Sequence, residues 1–344
     1  MGVSEPAGSG SGSPLRPDRV PVLRRFVAHL CDHPVLAGLI AALFYTSGLF
    51  TLLAAPVFVI VTLQGGLRRG LPALASSVVA LLILTLAFPH SGPDRAVLAF
   101  AFLGLVFVLA SELLRRGKSL ALIVSLAALL LLAALAIYAF SVPHPLGLFE
   151  HTLRTALQHE EALFAHRYPA EAHELEHSLK TLKPLYPYLL GIFGLYAVLV
   201  FAVDLFIGAA VHAAAYSPGS FGRHFRAFRV GKTLAFLTLA LFLVTFVVRR
   251  PLLSDAFLPL LPLYLFQGLA VVHARLYAHP AGRLLLFLLY ALLVFALLAG
   301  GVFVYLALAL LLLGWIDNFL TLTRPAGPSS PAPAGPPASP SARS

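Results

Sequence analysis

The chain has 344 residues, of which 59% are hydrophobic and 11% charged, with a net charge of +10 and a mean hydropathy of +0.90. Soluble domains carry roughly 25% charged residues, so this composition excludes a water-soluble globule. The apolar runs do not alternate with polar residues, which excludes a β-barrel. The positive balance has no soluble basic domain to concentrate it, so it argues for the Lys/Arg bias of cytoplasmic loops and against nucleic acid as a partner.

Residues 1–34 hold a Gly/Ser/Pro-rich start (MGVSEPAGSGSGSPLRPDRV) and a basic stretch with Arg16, Arg19, Arg24 and Arg25. They are expected to be a disordered cytoplasmic N-terminus with no cleavable signal. The single cysteine, Cys31, leaves no intrachain disulfide. Apolar runs follow near 35–63, 71–88, 96–114, 119–141, 185–214, 233–248, 256–275 and 284–320. A crossing takes about 20 residues, so the two end runs are too long for one each. The first carries Tyr45, Thr46, Ser47, Gly48 and Pro56, and is expected to form two short helices or a re-entrant pair. The last breaks at Ala299-Gly300-Gly301. The expectation is an all-α polytopic bundle of about eight, and at most ten, membrane segments over residues 35–324. A Pro/Ala/Ser-rich disordered tail follows over 325–344.

Charge sets the orientation. Arg68, Arg69, Arg115, Arg116, Lys118, Arg223, Arg226, Arg229, Lys232, Arg275 and Arg283 fall in alternate connections, which places those connections and both chain ends in the cytoplasm. The loop FGRHFRAFR sets Phe221, Phe225 and Phe228 on one helical face and Arg223, Arg226 and Arg229 away from it. That pattern suits an anionic leaflet or a docked partner protein. Ala37 with Ala41, and Gly38 with Ala42, are small residues four apart that permit close helix contact. Gly231-Lys232-Thr233 echoes the end of a P-loop, but Arg226 stands where its first glycine belongs, so no nucleotide site is expected.

The segment 142–184 is extracytoplasmic by this count and carries six of the thirteen histidines. Within it, HELEH (173–177) spaces two histidines four apart with a glutamate after the first, as on a zinc-protease helix. His173, His177 and His166 are its conceivable ligands and Glu174 its base. Against this, Glu176 is charged where a catalytic helix has an apolar residue, and the motif lies outside any span. At 100° per residue the five histidines from His151 to His177 fall within about 80° of one another, opposite Leu153, Leu157, Leu163, Phe164, Leu175 and Leu182. The segment therefore reads as amphipathic helices with a wet histidine face, and no metal or other cofactor is called for.

Polar groups within spans are functional candidates because burying them in hydrocarbon is costly. Asp204, in AVDLFIGAAVH, suits a cation or proton site or a pairing with a loop arginine. Gln267, in YLFQGLAVVHARL, suits a ligand contact or an interhelical hydrogen bond. His273 falls near the cytoplasmic interface.

YLFQGLAVVHARL, a long apolar run and LLLLGWIDNFLTLTR together resemble the C-terminal half of the YybS-like family of bacterial polytopic membrane proteins, whose domain has no known function. Gln267, Gly268, His273, Gly314, Asp317 and Arg324 fit its motifs. Trp315 is displaced from its usual place, and the proline that usually follows the basic loop is replaced by VGKTLAF. That family is distantly similar to the S components of energy-coupling-factor transporters, small bundles that bind a vitamin or metal and dock on an ATPase-driven module. The resemblance implies a non-enzymatic inner-membrane protein that binds or transports a small solute, with Gln267, Asp204 and Tyr45 as its contacts. It also implies docking through small residues such as Ala37 and Ala41. The alternative is a structural or assembly factor of the cell envelope, and a zinc metalloprotease through HELEH stands third. Solute binding predicts that Gln267→Leu abolishes ligand retention without unfolding the protein.

Overall fold

A computed structural model describes residues 21–47, 51–87, 93–141, 188–248, 251–298 and 301–320, with single positions at 147 and 155. Among these residues every regular element is helical. The helices are α1 (Pro21–Asp32), α2 (Pro34–Thr46), α3 (Thr51–Gly65), α4 (Leu67–Ala87), α5 (Pro93–Arg115), α6 (Leu120–Ser141), α7 (Leu189–Tyr216), α8 (Ser220–Arg226), α9 (Lys232–Val248), α10 (Pro251–Phe257), α11 (Leu261–Tyr277), α12 (Gly282–Leu298) and α13 (Gly301–Leu320). A 3-10 turn, Leu258–Leu260, joins α10 to α11. Among the described residues five segments are long and apolar enough to cross a membrane: Leu67–Ala87, Ala96–Arg115, Leu120–Tyr138, Leu189–Tyr216 and Asp255–Tyr277. A sixth is possible only if the bent pair α1–α2 acts as one span. The chain is thus a multi-pass helical membrane protein. The described residues form two compact units, Met1–Lys118 with Val200–Arg223, and Ser119–Leu199 with His224–Ser344.

In the first unit the expectation of a disordered stretch up to residue 34 is corrected, because α1 is a helix over most of its second half. It presents Val27, Leu30 and Cys31, all almost fully buried, on one side, while Arg24 and Arg25 near its start are exposed. The reason is periodicity: residues 27, 30 and 31 share a helical face, which packs with Ile60 of α3 and Ala215 of α7. Pro34 then starts a new helix at its first position, where a missing N–H costs nothing, and the chain turns by 105°.

The long apolar run of residues 35–63 forms two short helices, α2 and α3. Ala37 and Ala41 are fully buried, and a Cβ on Gly38 would overlap Ser76 Oγ and the Ala73 carbonyl. The small-residue stripe is therefore consumed by packing inside the unit, against α4, and is not a free surface for a partner. Ser76 Oγ donates to the Val35 carbonyl across this contact at 3.2 Å. Gly66, with φ of 66°, makes the turn into α4, a conformation that residues with a Cβ avoid.

Glu112, near the end of α5, is almost buried and accepts hydrogen bonds from Arg115 Nε (2.8 Å) and Nη2 (2.7 Å) and from Arg116 Nε (2.8 Å). Charge-assisted bonds are stronger than neutral ones, but both arginines are substantially exposed, so solvent screens the pairs and their contribution is small. Glu112→Gln is expected to lower the thermal midpoint in detergent by a few degrees at most, a loss that a scanning fluorescence melt would detect.

In the second unit, α11 and α13 cross at two glycines, α12 packs against both, α9 packs against α13, and α10 packs on α9. Asp255, at 1% exposure, accepts the Gly191 N–H at 2.8 Å through Oδ1. It therefore places a carboxylate on one of the orphan amides in the first turn of α7. A Cβ at Gly191 would overlap the Asp255 main chain, so this contact requires glycine. Within the apolar run of residues 284–320 the described helices are α12 and α13, and the expected break at Ala299-Gly300 lies outside the described residues.

Candidate functional site

Two polar centres stand out, one in each unit. The centre in the second unit is built on α11, α13 and the connection 227–231. Gln267, Asp317 and Asn318 each have 0% exposure. Gln267 Nε2 donates to Asp317 Oδ2 at 2.8 Å, and Asn318 Nδ2 donates to Gln267 Oε1 at 3.2 Å. Two loop amides join them: Val230 N–H donates to Gln267 Oε1 at 3.0 Å, and Gly231 N–H to Asn318 Oδ1 at 2.9 Å. Arg229 Nη2 donates to the Asp317 carbonyl at 2.9 Å, and Arg229 Nε lies 3.9 Å from Asp317 Oδ2.

The physical logic is complete without a ligand. Residues 228–231 are non-helical backbone beside apolar helices, and such backbone persists only where protein groups take up its N–H and C=O groups. Gln267 and Asn318 take up two amides, while Arg229 caps the last carbonyls of α13, where a cation also suits the helix dipole. Gly231, at φ 99°, supplies the left-handed turn that aims its N–H at Asn318. Both ends of the Gln267 amide are engaged by protein, which corrects its reading as a solute contact in favour of the interhelical hydrogen bond.

Around this centre, Tyr264 Oη and Thr238 Oγ1 lie 2.8 Å apart, and Trp315 Nε1 donates to the Ala235 carbonyl at 3.3 Å. Trp315 thereby ties α13 to α9. His273 sets Nδ1 3.0 Å from Tyr290 Oη and its ring against Phe225. Gln267, Gly268, Gly314 and Asp317 thus converge on one helix crossing, His273 lies further along α11, and Arg324 lies outside the described residues. Asn318, Arg229 and Gly231 were missed by the sequence reading. The signal for Asn318 was its place beside Asp317, two adjacent polar residues in an otherwise apolar run.

The connection FGRHFRAFR does not form the amphipathic helix expected of it. α8 ends at Arg226, so Phe228 falls beyond the helix. Phe225 and Phe228 are 4% and 1% exposed, and Phe221 packs on Phe206. The phenylalanines face the protein interior, which corrects their reading as a docking surface. Arg226 lies over the Tyr277 ring at 3.9 Å.

The centre in the first unit is Asp204. It sits near the middle of the 28-residue α7, is 3% exposed, and its Oδ1 has no hydrogen-bond partner. No ion pair reaches it among the described residues, so the pairing with a loop arginine is not what the fold provides. Tyr45, in the same unit, is half-buried with its ring 4.6 Å from that of Phe100. An open groove of about 740 Å³ runs between α2 and α4, lined by residues such as Leu39, Leu43, Val79 and Ile83. Its lining is hydrocarbon with the single exception of Ser76, which suits an acyl chain and offers a polar solute nothing.

His166, His173 and His177, and with them HELEH and the amphipathic segment 142–184, lie outside the described residues apart from two single positions. Among the described residues no group of three or more His, Cys, Asp or Glu side chains is arranged to hold a metal ion. No family model matches the chain, and neither the curated proteins nor the solved structures yield a match.

Proposed function

We propose that the chain is a non-enzymatic protein of the bacterial inner membrane that binds or transports a small solute in the manner of an S component, with Asp204 as the principal contact. Both ends are cytoplasmic, and about eight segments enter the membrane. Adding the four shorter apolar helices Leu52–Gly65, Lys232–Val248, Leu284–Leu293 and Val304–Leu320 to the five longer described spans gives nine, within the expected range of eight to ten. The relationship to the YybS-like family rests on the residues around Gln267 and Asp317, and docking on an ATPase-driven module rests on that relationship in turn.

The observation that carries the reading is the buried carboxyl of Asp204 with an unpartnered oxygen, in the middle of the longest span. A polar group in that position costs several kcal/mol unless something satisfies it, and a fold retains it where binding needs it. Native mass spectrometry of the protein extracted gently from its host membrane tests the reading. Wild type is expected to carry a small-molecule adduct that Asp204→Asn loses, with affinity falling tenfold or more, equivalent to about 1.4 kcal/mol or above. Bare protein with lipid alone would overturn it.

That outcome would favour a non-transporting assembly factor of the envelope. The self-satisfied polar centre of the second unit supports this alternative, since it offers no open polar group to a solute. One zinc per chain in the same spectrum would instead support the third reading, catalysis at HELEH.

A further inference from the structure

The register of α3 against α7 is set by two contacts. A Cβ on Gly208 would lie 2.5 Å from Val59 Cβ and 3.0 Å from the Pro56 carbonyl oxygen. Further along both helices, His212 Nε2 is 3.1 Å from Gln64 Oε1. Residue numbers rise together, so the helices run parallel. One turn back from Gly208 on the same face of α7 is Asp204, and one turn back from Pro56 on α3 is Leu52. Pro56 lies inside α3 and has no N–H, so the Leu52 carbonyl loses the helical donor it would otherwise have.

Two acceptors that each lack a donor therefore stand at one level of the bundle, and a single proton between them satisfies both. The Leu52 carbonyl requires a donor. Asp204 Oδ1 requires a hydrogen, because an ionised carboxylate only accepts, whereas the acid form donates. We propose that Asp204 binds a proton within the membrane and donates it in a hydrogen bond to the Leu52 carbonyl, making the proline-opened turn of α3 and the α7 carboxyl one proton-binding site. Proline in a spanning helix is tolerated where a neighbouring helix satisfies the freed carbonyl, and buried carboxyls in spans serve as proton relays. The proton comes from water and returns to it, and only the Asp204 O–H bond forms and breaks.

The ionisable side chains on the surrounding elements are otherwise placed. α3 has none and α2 has only Tyr45. On α5, Glu112 is held by Arg115 and Arg116. On α4, Arg69 meets Asp32 and Arg68 is exposed. On α7 itself, His212 is bound to Gln64 two turns on, with Tyr216 beyond it. Arg223 on α8 is exposed. No cation among them offers Asp204 a salt bridge, and no cavity is needed for a proton.

This names the coupling ion of the solute site proposed above, and it rests on that reading only for the coupling. Infrared spectra of the full chain in lipid nanodiscs at neutral pH test it. Wild type is expected to show a carbonyl stretch of a protonated carboxylic acid that disappears in both Asp204→Asn and Asp204→Leu. In Pro56→Ala, which restores the helical N–H, the same band is expected to move to higher frequency as its acceptor is withdrawn. A spectrum without an acid band that depends on Asp204 overturns the proposal, and a band unmoved in Pro56→Ala overturns its carbonyl partner. Solute binding lost in Asp204→Asn without an acid band sinks the proton and leaves the solute reading. An acid band with unchanged solute binding does the reverse.

Discussion

Replacing Gly314 by valine is expected to abolish the folded second unit, or to destabilise it by more than about 3 kcal/mol, the upper end for overpacked cores. A Cβ at Gly314 would overlap the Tyr264 carbonyl and come within 2.5 Å of the Gly268 amide nitrogen, and a Cβ at Gly268 would overlap the Leu310 carbonyl. Every obstructing atom belongs to the main chain, so no rotamer change relieves the contact and the two helices must separate. Separation also pulls Gln267 away from Asp317 and Asn318, which lie beside the crossing. Gly104→Ala is the contrasting case. Its new Cβ would meet the Leu74 side-chain terminus, a flexible group that can rotate away, and the cost is expected to stay below about 1 kcal/mol. Melting curves of the three proteins in one detergent, read by tryptophan fluorescence and by monodispersity on a sizing column, compare the two substitutions directly.

Gln267→Leu is expected to cost about 3–5 kcal/mol of stability. The substitution leaves the Val230 N–H and Asn318 Nδ2 without their shared acceptor and Asp317 Oδ2 without its donor. A buried group left unpaired costs about 1–3 kcal/mol; Asn318 Nδ2 keeps the Gly314 and Trp315 carbonyls as acceptors and Arg229 stays near Asp317, which holds the sum to the stated range. Hydrogen exchange localises the damage: the amides of Val230 and Gly231 should lose protection first, ahead of the helical amides of α11. A variant that folds with wild-type stability and unchanged exchange at these amides would show that the network is dispensable. This expectation replaces the one drawn from sequence, in which leucine at 267 spares the fold and removes a ligand.

How far the sequence could be read follows from what carries information locally. Apolar runs and their length disclose membrane helices, since burial in lipid needs only composition. Asp204, Gln267 and Asp317 were visible as polar residues against an apolar background. What they bond to was not, because Gln267 and Asp317 are 50 positions apart and their meeting depends on a glycine crossing set by three-dimensional register. Ala37 and Ala41 show the same limit: spacing announces a close helix contact and says nothing of whether the neighbour belongs to the same chain. In α1, Val27, Leu30 and Cys31 have helical spacing directly after a glycine- and proline-rich start, so composition averaged over residues 1–34 conceals the helix. Phe225 and Phe228 have the spacing of one helical face, but the chain leaves the helix at Arg226 to reach Gly231.

The short pair α2 and α3 bears on the lipid as well as on the protein. With 13 and 15 residues, they rise only about 20 and 23 Å, against a hydrocarbon layer of about 30 Å, while α4 beside them has 21 residues. Hydrophobic mismatch of this kind is relieved by thinning the bilayer locally. Helices this short cover less than the full hydrocarbon layer on one flank of the first unit, so the acyl-chain length of the host membrane becomes part of the energetics of the fold.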